Sequence, residues 1–210
     1  MALLAAPLAA QISPAGAAML SFEYSHEFSG ATSPAGPAPW LTATFDDGAS
    51  PGVVRLTLAT TGLVANEFVS CWAFNLAPAL DPADLSIALN PALGSGAFAL
   101  PAVFQGANAF RADGGGKYDF AFEFKSGGGA AGRFGAGDLA VYDLGGIPGL
   151  AAGSFNYLSL SSGGHGIWPT AAHIQSIAPD SRSGWVSTPE PGMLALLALG
   201  AAALLRRRAG

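Results

Sequence analysis

The chain has 210 residues; 50% are hydrophobic, 11% are charged and 29 are glycine. This length suits one domain plus targeting segments, and so apolar a chain with so few charges is not disordered by self-repulsion. A formal net charge of -5 argues against nucleic acid as a partner, because the charge repels phosphate backbones. Cys71 is the single cysteine, which excludes an internal disulfide and a cysteine zinc site.

The N-terminus carries a short apolar stretch over residues 2–10, followed by Ala15-Gly16-Ala17, which is an A-x-A cleavage site. Together they predict a signal-peptide remnant over residues 1–18. No Lys or Arg precedes the apolar stretch, so either the true start lies upstream or the signal is weak. We expect an upstream start, and export in both cases.

Residues 19–179 repeatedly alternate between apolar and polar positions, with glycine clusters between the alternating segments. The aromatic residues and His26 share one face of residues 22–28, and every second residue of 118–124 is aromatic, as in a half-buried strand. Further strands are expected near residues 40–46, 54–58, 68–76, 84–90, 97–104, 138–144, 154–160 and 171–177. This pattern predicts an all-β ectodomain, an antiparallel β-sandwich of jelly-roll-like type.

Residues 180–188 are rich in serine and are predicted to be a linker to the C-terminal tail. The tail consists of Pro189-Glu190-Pro191, an apolar run over 193–205, and the arginine cluster Arg206, Arg207 and Arg208. A helix over the run spans about 20 Å, so it is a short membrane helix whose arginines stay on the cytoplasmic side. The prolines resist helix formation and leave Glu190 accessible to a processing enzyme.

This order of parts over residues 189–210 resembles the PEP-CTERM sorting signal of Gram-negative bacteria that make exopolysaccharide. The same segment is also labelled an ice-binding-protein C-terminal domain, a label that does not imply ice binding. The resemblance implies that exosortase, a membrane enzyme, recognises Pro189, Glu190 and Pro191. It further implies that the inner membrane anchors the precursor only transiently.

The body is similar to a recurrent ectodomain of PEP-CTERM proteins. The stretches that carry this resemblance are "GVVRLTLATTGL", "EFVSCWAFNLAPALDP", "GGKYDFAFEF" and "GGHGIWPTAAHIQSI". The group implies a surface protein and adds no catalytic mechanism.

Motifs for chemistry are weak in the body. Residues 127–132 match G-x-G-x-x-G, but the following residues do not favour a helix, so we interpret them as a glycine-rich turn. The three histidines lack local metal-ligand spacing, and the loop from Asp113 to Asp119 has too few carboxylates for a calcium site. No catalytic residue, metal or cofactor is therefore predicted. We expect Cys71 to be a half-buried, inert thiol.

Ligand contact is a weaker hypothesis for Trp168, His165 and Trp40, whose rings suit stacking on a sugar; packing over the end of the sandwich is the alternative. The sequence thus predicts an exported, non-enzymatic protein of the cell surface or exopolysaccharide matrix, processed by exosortase. A secreted carbohydrate-binding module is the alternative, and a glycoside hydrolase with two convergent carboxylates is a further one.

Overall fold

The structure is a computed structural model that describes residues 17–189. These residues form twelve strands and two short 3-10 helices, Pro82–Asp84 and Ala152–Phe155. The strands are β1 (Met19–Tyr24), β2 (His26–Glu27), β3 (Leu41–Ser50), β4 (Val53–Ala59), β5 (Phe68–Phe74), β6 (Ser86–Leu89), β7 (Ala102–Arg111), β8 (Lys117–Glu123), β9 (Phe134–Gly135), β10 (Leu139–Gly145), β11 (Thr170–Ile177) and β12 (Arg182–Ser187).

The strands form two sheets in which every strand pairing is antiparallel. The five-stranded sheet has the order β1-β3-β4-β10-β6. The seven-stranded sheet has the order β2-β12-β11-β5-β8-β7, with β9 paired to β5. The predicted all-β, antiparallel architecture is confirmed.

The two sheets meet through aromatic side chains, which alternate along each strand and so lie on one face. Phe45 of β3 packs edge-on against Phe74 of β5 with ring centroids 5.4 Å apart. Phe122 of β8 lies 4.7 Å from Tyr142 of β10. These contacts join the sheets into a sandwich whose buried interior we call the inner cluster. The jelly-roll subtype stays a prediction.

A second apolar layer, the outer cluster, covers the opposite side of the seven-stranded sheet. It consists of Phe28, Ala73, Ala112, Tyr118, Ala121, Trp168 and Ala171. Because of this layer, β8 is buried on both faces from Tyr118 to Phe122. The prediction of a half-buried strand there was wrong, since alternation within one strand does not show that loops cover its second face.

Three other predictions from local pattern need correction. The strand expected near 97–104 begins only at Ala102, and the strand expected over 154–160 is absent, because residues 152–155 form a 3-10 helix followed by irregular chain. The linker predicted over 180–188 is wrong for residues 182–187, which form β12 between β11 and β2. Serine and glycine suggested a linker, but main-chain pairing with two neighbours holds the segment as a strand.

Within residues 17–189, no helix is long and apolar enough to cross a membrane. Glu190, Pro191, the predicted helix over 193–205 and the arginine cluster lie outside the described residues, as does the predicted signal-peptide remnant up to residue 16. The membrane helix stays a prediction.

Candidate functional site

The C-terminal segment leaves the domain from a strand that is fully integrated into the fold. Ser187, the last residue of β12, is buried and pairs with His26 of β2. Its hydroxyl donates to the carbonyl oxygen of Thr170 at 2.6 Å, and its own carbonyl oxygen accepts from the backbone N–H of Ser25 at 3.2 Å. Only Thr188 therefore separates the folded sheet from Pro189, the first residue of the predicted motif.

Beside this exit lies a groove of about 270 Å³, which we call the exit groove. It is lined by Ser21, Glu23, Ser25, Thr188 and Pro189. The first three residues alternate with the buried Phe22 and Tyr24 and so point away from the core, as the period of two in a strand requires. Thr188 and Pro189 are half-buried against this face. The motif thus begins beside β1, at the wall of the same groove.

Trp168 and Trp40, for which ligand contact was a weaker hypothesis and packing the alternative, are both buried, with exposures of 8% and 7%. The Trp168 ring lies 5.4 Å from Phe28, and its Nε1 donates to the carbonyl oxygen of His165 at 2.7 Å. Trp40 belongs to the inner cluster, and its Nε1 donates to Gly36. The hypothesis of exposed sugar platforms at these two indoles was wrong, because both rings serve packing.

His165 is exposed beside Trp168, so the structure brings these two predicted residues together and leaves Trp40 apart from them. Its Nδ1 lies 2.6 Å from the carbonyl oxygen of Asp113, which connects two loops at the outer cluster. His26 also packs on Trp168, with ring centroids 5.1 Å apart. Within residues 17–189, no group of three or more His, Cys, Asp or Glu side chains is arranged to hold a metal ion.

Two buried carboxylates, which sequence reasoning missed, are tied to the backbone of loops. Asp119 accepts from the backbone N–H of Leu76 and of Asn108, each at 2.8 Å. Glu67 accepts from the backbone N–H of Ala35 at 2.7 Å and of Val64 at 3.0 Å. No pattern in the sequence reveals these roles, because each carboxylate also has a partner more than 30 residues away, Ala35 for Glu67 and Leu76 for Asp119. Asp119, once considered for calcium, uses both oxygens to fix loops.

Cys71 lies on the outer side of β5, opposite His173 on β11. Burial raises the pKa of the Cys71 thiol to about 12, and the charge of Glu123 adds to this. Burial also lowers the pKa of His173, whose ring stacks on Trp185 at 4.8 Å and whose Nδ1 lies 2.9 Å from the hydroxyl of Ser70. The thiol is therefore protonated at neutral pH, which makes it a poor nucleophile.

The glycine-rich segment 127–132 forms turns, with positive φ at Gly128, Gly129 and Gly132. It leads into the two-residue strand β9 and not into a helix. A dinucleotide site needs a helix N-terminus at this point, so the interpretation as a turn is confirmed.

One cleft on the domain has a volume of about 420 Å³ and a mostly apolar lining. The irregular chain after residue 155 contributes Tyr157, which is 41% exposed, and Leu158, which is 53% exposed. Asp119 lines the same cleft with its oxygens already bonded to backbone. The sequence missed this cleft because its wall was predicted to be a strand.

Comparison with known protein families matches residues 187–209 to the PEP-CTERM protein-sorting motif. The chain carries this sorting motif. Its first matched residue is Ser187, the end of β12, so the motif follows directly on the domain. The PEP-CTERM motif implies sorting by exosortase of an exported precursor that is anchored in the membrane. No curated protein and no solved structure matches the chain.

Proposed function

We propose that the protein is an exported β-sandwich of a Gram-negative cell surface or exopolysaccharide matrix, with a non-catalytic ectodomain. The observation that carries this proposal is the position of the PEP-CTERM motif, which starts at the last residue of β12. Processing at Pro189, Glu190 and Pro191 leaves every strand of the sandwich in the mature protein. The Arg206, Arg207 and Arg208 cluster fixes the orientation of the precursor in the inner membrane.

The side chains with catalytic potential support the non-catalytic part of the proposal. Asp119 and Glu67 bind backbone N–H groups through both carboxylate oxygens, so each stabilises loops. Cys71 is held as a thiol by its raised pKa. In these roles the two carboxylates fix the geometry of loops, and the Cys71 thiol serves packing.

The test is intact-mass measurement of the protein from its native host, in both membrane and medium fractions. We expect the wild-type chain to lose the residues after the motif, and the variant with Ala at Pro189, Glu190 and Pro191 to stay full-length in the membrane. Pro91→Ala with Glu123→Ala is the matched control, because both positions are exposed and remote in sequence from the motif. Normal release of the motif variant would refute the proposal.

Carbohydrate binding is a second candidate for the ectodomain, and the cleft at Tyr157 favours it. An exposed aromatic ring at the mouth of an apolar cleft suits stacking on a sugar ring. The measurement is retention on exopolysaccharide from the host, where Tyr157→Ala should reduce binding and Leu93→Ala, another exposed apolar position, should not. Equal retention of both variants would argue against this site.

A further inference from the structure

The distance between the fold and the sorting motif is very short. Ser187 is buried in the sheet, and Glu190 follows three residues later. A fully extended chain advances at most about 3.6 Å per residue, so the Cα atoms of Ser187 and Glu190 lie within about 11 Å of each other. An enzyme that binds the motif must therefore bring its own surface up to the folded domain.

The connection between the domain and the motif could become longer only if the end of β12 detached from the sheet, and this would cost folding free energy. Val186 is fully buried in the inner cluster, and Ser187 bonds to Thr170 and Ser25. Releasing the end of β12 would expose the Val186 side chain and break the hydrogen bonds of Ser187 to Thr170 and Ser25. Approach of the enzyme to the intact domain costs less than detachment of this strand.

The surface beside the start of the motif is the outward face of β1. Ser21 and Glu23 on that face and the adjoining Ser25 are exposed, and they line the exit groove together with Thr188 and Pro189. β1 is an edge strand, so a neighbour approaches it from the side without displacing another strand. The two serines are small, and they leave room for an approaching surface.

We propose that the outward face of β1, with Ser21 and Glu23, and the adjoining Ser25 form the surface on which exosortase docks against the folded domain. This inference rests on the proposed function, since it concerns the same processing step. Glu23 in the exit groove and Glu190 in the motif are both acidic, so the docking surface of the enzyme is expected to be basic. The domain thereby takes part in its own processing.

The experiment is pulse-chase of the full-length precursor in the native host, read as conversion to the processed mass. Ser21→Trp fills the exit groove and should slow conversion by about tenfold, which corresponds to about 1.4 kcal/mol of lost contact. Ser86→Trp is the matched control, because it changes the same residue type at an exposed position on β6, the other edge of the same sheet. Trypsin resistance of both precursors checks that they are folded.

A second variant separates the loss of enzyme docking from other causes of slow conversion, such as a changed contact between β1 and the bilayer. A Gly/Ser linker of about twelve residues between Thr188 and Pro189 spans about 20 Å on average and lets the enzyme act away from β1. We expect this linker to restore conversion of Ser21→Trp. Equal rates for Ser21→Trp and Ser86→Trp would overturn the docking surface. Slow conversion that the linker does not restore would overturn it too, in favour of contact between β1 and the bilayer.

The motif variant shows which proposal fails. If the variant with Ala at residues 189–191 stays unprocessed while Ser21→Trp is processed normally, the sorting function stands and only the docking surface is wrong. If the motif variant is processed normally, the sorting function itself is wrong.

Discussion

The inner side of the seven-stranded sheet packs aromatic rings against the five-stranded sheet, whereas its outer side holds alanines, a thiol and an imidazole under covering loops. Trp72 and Phe74 point inward from β5, and Cys71 and Ala73 point outward from the same strand. The inner side depends on apolar packing. The outer side depends on polar groups that hold loops against the sheet. Asp119, Cys71 and His173 are therefore best understood as parts of this outer layer.

The largest expected effect that tests this difference is at Asp119. Asp119→Ala leaves the backbone N–H groups of Leu76 and Asn108 without their acceptor, which should cost about 3 kcal/mol of unfolding free energy. Glu123→Ala on the same strand is the control and should cost less than about 0.5 kcal/mol, because Glu123 is exposed. Urea unfolding of the processed protein measures both values. Equal effects would show that Asp119 does not hold the loops.

The sequence was sufficient for the sorting motif and for the all-β, antiparallel fold class, because both depend on local order. The motif around Pro189 is a linear signal, and alternation over β3, β10 and β11 predicted strands close to their observed positions. Pairing between strands is not local, and this explains the main errors. β12 resembled a linker because its serine and glycine content does not reveal its pairing with β11, which directly precedes it, or with β2 near the start of the domain.

The burial of individual side chains was harder to predict from the sequence than the positions of the strands. Trp168 lies in a loop, where ligand contact was the weaker hypothesis and packing the alternative; Phe28 and His26 pack on it from a segment about 140 residues away. Asp119 sits between aromatic residues in an alternating strand, so its pattern predicted a solvated carboxylate. Only the folded arrangement of β8, β7 and the loop after β5 gives this carboxylate its partners.

A smaller effect is expected inside the inner cluster, where two tyrosines differ in their partners. The hydroxyl of Tyr24 accepts from Trp72 Nε1 and bonds to Thr170, whereas the buried hydroxyl of Tyr142 has no hydrogen-bond partner within residues 17–189. Tyr24→Phe should therefore cost about 1 to 2 kcal/mol. Tyr142→Phe should be neutral or stabilising by up to about 1 kcal/mol, because it removes an unpaired polar group.

Thermal and urea unfolding of the two phenylalanine variants measure this contrast. A loss of stability in Tyr142→Phe as large as that in Tyr24→Phe would mean that the Tyr142 hydroxyl also makes a stabilising polar contact, which would contradict its unpaired position in the inner cluster.

The smallest expected effect is a pH dependence from His173 on the outer side. Burial lowers the pKa of His173 in the folded protein below its ordinary value of 6.5, and the negative charge of Asp113 offsets part of this shift. The unfolded chain therefore binds a proton more readily, so stability is full above pH 6.5 and falls as the pH decreases toward 5. The slope stays below that of one proton, about 1.4 kcal/mol per pH unit.

His173→Gln should flatten the stability profile between pH 7 and 5, and the wild-type profile minus the variant profile isolates the histidine. Asp47 and Asp143 also have lowered pKa values, from backbone hydrogen bonds to Asp47 and from the Arg55 side chain beside Asp143. Their stabilising effect is lost only at lower pH, below the ordinary value of 3.8, so it does not overlap this window. Identical slopes for wild type and His173→Gln would mean that the imidazole is no more desolvated in the fold than in the unfolded chain, and the outer side would then be less tightly covered than its packing indicates.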